Sequence, residues 1–156
     1  MIFYNDKFFP IVRQVNKSYK RVVVVGIGGN EGNVRKRFRN LYMYLCKNRL
    51  VSVSQTSAIL KNPPFGYLDQ DDFYNAVMVI RTSLSPKAFL KFLLHVEKIF
   101  GRKRSFKNAP RTLDLDIIFY DDIIYNDKNL KIPHPSWYQR ESVVLPLLNL
   151  KKGRHR

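Results

Sequence analysis

Two aspartates, Asp114 and Asp116, alternate with Leu113, Leu115 and Ile117 in the last third of a 156-residue chain. In a strand this alternation turns the apolar side chains to one face and both carboxylates to the other, about 7 Å apart along the backbone. Such a pair suits Mg²⁺, a hard cation that keeps several waters and is held by one or two protein carboxylates plus substrate phosphates. An isolated pair fits a half-exposed strand with solvated acids more readily, so the neighbours matter. Lys98, Arg102, Lys103, Arg104, Lys107 and Arg111 all lie just upstream, with Arg111 three positions before the first acid. Guanidinium forks grip phosphate oxygens bidentately while a cation neutralises others, which is the division of labour of phosphoryl transfer. The plainer alternative is a solvated basic loop.

A second group of residues suits a different ligand. Asn62-Pro63-Pro64-Phe65-Gly66, followed by Phe73 and Asn75, supplies stiff backbone, an aromatic face and a carboxamide. These are the ingredients of a pocket for a flat polar ring, although Phe73 alone would serve as well in a core. Other chemistries lack support. Gly26-x-Gly28 has no later glycine at the dinucleotide-binding offset, no G-x-x-x-x-G-K-[ST] loop occurs, and neither His95 nor His134 has a Ser or Cys partner at a readable spacing. The single Cys46 can form no internal disulfide and belongs to no zinc-site pattern.

The elements that must hold these residues follow from periodicity. The β-branched run Val22 to Val25 ends in Gly26-Ile27-Gly28-Gly29-Asn30, a buried strand entering a glycine-rich turn. Asn33 can cap a helix with Val34, Phe38, Leu41, Tyr42 and Leu45 on its apolar stripe. Strands are expected over 50–59 and 73–82, separated by the turn-rich loop. Ser85, Pro86 and Gly101 bracket a second helix that faces inward through Phe89, Phe92, Leu93, Val96 and Phe100. A strand over 112–120 follows, then a short strand or turn at 123–125. The order strand, helix, strand, strand, helix, strand predicts an α+β, ferredoxin-like sandwich: an antiparallel sheet with helices on one face and the other face free for ligands.

Length and 45% apolar content favour one compact domain. Residues 1–20 and 151–156 are expected to be an appended extension of open role and a basic tail around a single catalytic domain over 21–150. A net charge of +16 calls for an anionic partner without choosing which. The longest early apolar run is too short for a membrane helix, and no secretory pattern precedes it. With the lone cysteine, this makes a soluble cytoplasmic protein the expectation.

Asp69-Gln70-x-x-Phe73-x-Asn75-Ala76-Val77, Gly101-Arg102-x-Arg104 and Pro110-Arg111-Thr112-Leu113-Asp114-Leu115-Asp116 occur in that order. Together they resemble the 6-hydroxymethyl-7,8-dihydropterin pyrophosphokinases of folate biosynthesis, over roughly residues 22–148. The resemblance implies the same ferredoxin-like fold and transfer of the β,γ-pyrophosphoryl group of ATP to the pterin hydroxymethyl, releasing AMP. It implies two Mg²⁺ ions on Asp114 and Asp116, and Arg102 and Arg111 near the phosphates, these four being the catalytic set. Arg104 would lie in a loop closing over ATP, and Glu97, His134 and Arg140 along the nucleotide. Pro63, Pro64, Phe65 and Gly66 would form the pterin loop, with Phe73 stacking on the ring and Asn75 hydrogen-bonding it. The implied partners are these two small molecules, with no membrane and a monomer as the working form.

The chain departs from that pattern at several positions. Ser142 stands where the family usually has a second aromatic, so one-sided stacking is expected unless Trp137 or Tyr138 replaces it. Ala109 and Asn108 replace a usual Gly and a common aromatic, and Gly29 replaces the Ser of the common turn. Two competing readings are an RNA-binding module of the same architecture and a family member without activity. The aromatic string of RNA-recognition motifs is missing, so nucleic acid is disfavoured. Retention of Asp114, Asp116, Arg102 and Arg111 weighs against lost activity.

Overall fold

A computed structural model describes residues 1–103 and 105–151. Nine strands and three helices follow in chain order: β1 (Ile2–Tyr4), β2 (Ile11–Val12), β3 (Arg21–Gly29), α1 (Val34–Lys47), β4 (Val51–Thr56), β5 (Ile59–Asn62), β6 (Phe73–Thr82), α2 (Pro86–Ile99), β7 (Asp114–Tyr120), β8 (Tyr125–Asn126), β9 (Lys131–Ile132) and α3 (Glu141–Asn149). The valine run makes β3 an inner strand of a seven-stranded antiparallel sheet, paired on one side with β6 and on the other with the edge strand β7. Val23, Val25 and Ile27 of β3 point to one face, where α1 and α2 cover them with Phe38, Leu41, Leu45, Phe89, Leu93 and Val96. The Asn33 side chain accepts from the Lys36 amide at 3.1 Å and Ser85 accepts from Ala88 at 3.3 Å, so both helices begin at the expected caps. The ferredoxin-like α+β sandwich is therefore the observed fold.

Three features go beyond the sequence expectation. The segment 50–59 is two strands, because Ser57 interrupts the ladder: its Oγ accepts from the Val77 amide at 3.0 Å, and the next amide, Ala58, donates to Asn149 Oδ1 at 2.7 Å. α3 lies against β5 and β6 on the ligand face, opposite α1 and α2. It escapes the periodic pattern because it has no side-chain N-cap and contains Pro146. Finally, residues 1–20 are built into the sheet and are not an appendage: β1 pairs with β5, β2 pairs with β4, and Phe9 is fully buried against Phe38.

The sheet register sets the separation of the chemical groups. Gly28 of β3 lies opposite Asn75 on β6 and opposite Asp114 on β7, and Gly26 lies opposite Val77 and Asp116. The carboxamide and the first acid thus share one row, two strand spacings or about 10 Å apart. Gly28 is needed in that row, since a Cβ there would come within 2.6 Å of Asn75 Oδ1. Gly29 is explained by the same crowding: a Cβ would approach the Thr112 carbonyl oxygen at 2.5 Å.

Asp6 fastens the N-terminal segment to α1. Its side chain is 7% exposed, with Arg39 Nη1 at 3.0 Å from both carboxylate oxygens, Arg35 Nε at 3.1 Å and the Lys7 amide at 2.7 Å. Burial alone would raise its pKa, but the Lys7 amide and the two guanidiniums outweigh that and hold it below 3.8. A carboxylate lowered in the folded state stabilises the protein above its unfolded pKa and stops doing so as pH falls through the folded value. Because both arginines are partly exposed, Asp6→Asn is expected to cost about 1–3 kcal/mol in urea unfolding at pH 7. The gap from the parent should narrow as pH falls below 3.8, and equal stabilities at pH 7 would contradict the assignment.

Candidate active site

β7 opens directly on Asp114, and Arg102 and Arg111 converge on it from the preceding loop. Arg102 Nη1 lies 3.0 Å from Asp114 Oδ1, and Arg111 Nη1 lies 3.1 Å from Oδ2. The Arg102 guanidinium also donates to the Leu113 carbonyl at 3.0 Å, and its amide bonds to the Glu97 carbonyl at 3.0 Å, just past the C-terminal turn of α2. Gly101, with φ +83°, makes that turn possible. Both oxygens of Asp114 are therefore engaged by arginines.

Asp116 sits deeper on the same face. Its pKa is pushed up to about 7, first by burial, then by the neighbouring Asp114 charge and then by Glu97, against the opposing pull of Arg140 and Arg111. Glu97, 3% exposed, lines neither cleft described below: its Oε2 accepts from the Leu115 amide at 2.7 Å on the outer edge of β7 and stands 4.0 Å from Arg102 Nη1. It thus fixes the strand and one guanidinium from beneath.

Two clefts meet above these residues. One, of about 280 Å³, is lined by Pro63, Pro64, Phe65, Phe73 and Asn75. The other, of about 380 Å³, is lined by Arg102, Lys103, Lys107, Asp116 and His134. Asp114, Arg111 and Arg140 border both. Two arginine–aromatic contacts bridge the division, Arg111 lying 5.4 Å from the Phe73 ring centre and Arg140 lying 5.2 Å from that of Phe65. The Asn75 amide nitrogen donates to Asn62 Oδ1 at 2.5 Å, which fixes the carboxamide on the floor. The His134 Nδ1 accepts from the Ser136 amide at 3.2 Å, leaving Nε2 to carry the proton. Burial, then the Arg140 charge, lowers the His134 pKa and favours this neutral form, against the pull of Asp114.

Most residues singled out in the sequence come together here. Gly66 shapes the loop without lining the cleft, at φ +83°, where a Cβ would collide with the Asn108 side chain. Arg104 lies outside the described residues. Ser142 borders the smaller cleft, but Trp137 packs edge-on against Phe119 at 5.0 Å and Tyr138 against Trp137, and neither lines it.

Sequence reasoning assigned no role to Asn30 or Gln70. Asn30, 5% exposed, accepts from the Arg111 amide at 2.9 Å and donates to Gln70 Oε1 at 2.8 Å and the Asp71 carbonyl at 3.0 Å. Gln70 in turn donates to the Tyr67 and Asn108 carbonyls at 2.6 and 2.9 Å. The two amides therefore tie the aromatic loop to the arginine loop. The only sequence signals were an asparagine after paired glycines and a glutamine inside a motif.

Among the described residues no group of three or more His, Cys, Asp and Glu side chains is arranged to cage a metal ion. Two carboxylates beside a basic cleft nonetheless fit Mg²⁺, which takes its remaining ligands from water and phosphate. Burial first, and then the Asp114 and Glu97 charges, raise the Asp116 pKa, and a bound cation would offset both costs.

Comparison with known proteins identifies the family. The model of the 7,8-dihydro-6-hydroxymethylpterin-pyrophosphokinase family matches residues 24–152. The chain belongs to this family. It is 41% identical over 154 residues to the 2-amino-4-hydroxy-6-hydroxymethyldihydropteridine pyrophosphokinase of Helicobacter pylori, covering 95% of this chain and 94% of that one. It is 42% identical to the enzyme of the same name from Campylobacter jejuni, covering 93% and 92%. A folic acid synthesis protein of Dictyostelium discoideum matches at 35% over 83% of the chain, which spans 19% of that longer protein. As a member of this pyrophosphokinase family, the chain is an ATP-dependent enzyme of pyrophosphoryl transfer in folate biosynthesis.

Replacing one of the crowded carboxylates should stabilise the metal-free protein, as such sites often carry charge at the expense of stability. Asp116→Asn is expected to raise Tm at pH 8 by about 2–6 °C while removing activity. A lowered or unchanged Tm would contradict the cost of burying this carboxylate beside Asp114 and Glu97.

Proposed function

We propose that the enzyme transfers the β,γ-pyrophosphoryl group of ATP to the hydroxymethyl oxygen of 6-hydroxymethyl-7,8-dihydropterin. The observation that carries this reading is the meeting, at Asp114, of a cleft lined by prolines and aromatics with a cleft lined by arginines. The hydroxyl oxygen attacks the β-phosphorus, the bond from that phosphorus to the α,β-bridging oxygen breaks, AMP departs and the hydroxyl proton is released. No protein nucleophile is needed, so positioning and charge must supply the acceleration.

In this reading Phe73 packs on the pterin ring, Asn75 hydrogen-bonds its polar edge, and Pro63, Pro64, Phe65 and Gly66 form a stiff wall. Arg102, Arg111 and Arg140 grip the triphosphate, and His134 offers its Nε2 hydrogen. Glu97 keeps Arg102 and β7 in place from below. Asp114 and Asp116 would hold two Mg²⁺ ions, which when bound neutralise triphosphate charge and orient the hydroxyl. Arg102 and Arg111 then exchange one anionic partner for another: they balance Asp114 before ATP arrives and the phosphates afterwards. Asn30 and Gln70 keep the two loops in register, so that the clefts close together and water is kept from ATP.

The substrates are small soluble molecules, and among the described residues no helix is long and apolar enough to cross a membrane. A monomer working in the cytoplasm completes the proposal. Incubation with Mg²⁺, ATP and the pterin, followed by separation of nucleotides, is expected to yield AMP only when pterin is present. Asp116→Ala should lower the rate by about a hundredfold or more. Formation of ADP, or AMP release that is indifferent to pterin or to Asp116, would overturn the assignment.

A further inference from the structure

The N-terminal strand lies outside the 24–152 span of the family match, yet it reaches the ring-binding cleft. β1 pairs with β5 at Ile2↔Lys61, Phe3↔Leu60 and Tyr4↔Ile59. Continuing that register by one residue puts Met1 beside Asn62, which itself lies opposite Phe73. Met1, Asn62 and Phe73 therefore form a row on the ligand face, with Met1 and Phe73 two strand spacings or about 10 Å apart at the backbone. Side chains rising from the two ends of such a row leave room for one flat ring between them. Met1 is among the residues lining the cleft of about 280 Å³, together with Phe73, Asn75 and Ser142.

The placement of this strand is held by several interactions. Tyr4 stacks under the Arg35 guanidinium at 4.9 Å and packs on Tyr74 at 6.3 Å. Asp6 is gripped by Arg35 and Arg39, and Phe9 is fully buried. Its Met1 end borders the same cleft as Ser142, which offers only a hydroxyl, while Trp137 packs on Phe119. A thioether is flexible and polarisable, and it makes favourable contacts with aromatic rings.

We propose that Met1 is a specificity-determining residue of the pterin subsite, supplying with its side chain an apolar wall for the ring across from Phe73. This inference rests on the pterin reading of the cleft. It makes β1 a part of the substrate site, and Asp6 a positioning residue that acts through the strand.

The test is Met1→Ala, produced behind a cleavable leader so that alanine occupies position 1, compared with parent enzyme made the same way. Loss of a sulfur–ring contact predicts a rise in pterin KM of about three- to tenfold. The KM for ATP, kcat and Tm should stay as in the parent, and Met1→Leu, which keeps apolar bulk, should recover most of the pterin KM. An unchanged pterin KM in Met1→Ala would overturn the inference while leaving the proposed reaction intact. So would a parallel rise in both KM values or a fall in Tm, which would mark a structural role only. A parent enzyme that forms AMP without regard to pterin would overturn both.

Discussion

The site is organised around one electrostatic problem, the presence of Asp114, Asp116 and Glu97 within a short stretch of the sheet edge. Each acid is handled differently. Asp114 is neutralised by Arg102 and Arg111, Glu97 is buried against the Leu115 amide and near Arg102, and Asp116 is held near the boundary between its charged and neutral forms. Like charges held this close in a poorly solvated place are tolerated only where opposing charge is near. The arginines supply part of it, and the rest is available to a divalent cation and its phosphate ligands. A site with unsatisfied demand for positive charge, next to cations that can be shared with phosphate, is suited to binding a metal–triphosphate complex.

The rest of the fold delivers that cluster to its substrates. A strand with period-two alternation puts both aspartates on the ligand face, and the glycines at 26 and 28 leave the neighbouring strand bare above the floor. The same register brings Asn75 into the row of Asp114, so the distance between the carboxamide and the first acid is set by strand spacing and not by a loop. Asn30 and Gln70 bind the two flanking loops to each other.

The parts of this arrangement that were legible in the sequence are those with a local signature. Asn33, Ser85, Pro86 and Gly101 mark two helices by capping chemistry, the valine run marks the buried strand β3, and the acid pair marks its own face by alternation. Illegible parts depend on partners distant in the chain. Ser57 splits a strand because its hydroxyl takes the amide of Val77, and α3 forms against β5 and β6 despite Pro146. Residues 1–20 lack a clear period because β1 and β2 are short and their anchoring comes from Arg35, Arg39 and Phe38. Asn30 has the same explanation, since its partners are forty and eighty-one positions away.

In the proposed reading Asp114 and Asp116 form a cation site that becomes complete only with the triphosphate. Binding of Mn²⁺, followed by electron paramagnetic resonance with and without a non-hydrolysable ATP analogue, tests it directly. The account predicts weak binding to the protein alone, two tightly bound ions in the presence of the analogue, and loss of at least one of them in Asp114→Asn. Tight binding without nucleotide, or binding with nucleotide that is unaffected by Asp114→Asn, would contradict it.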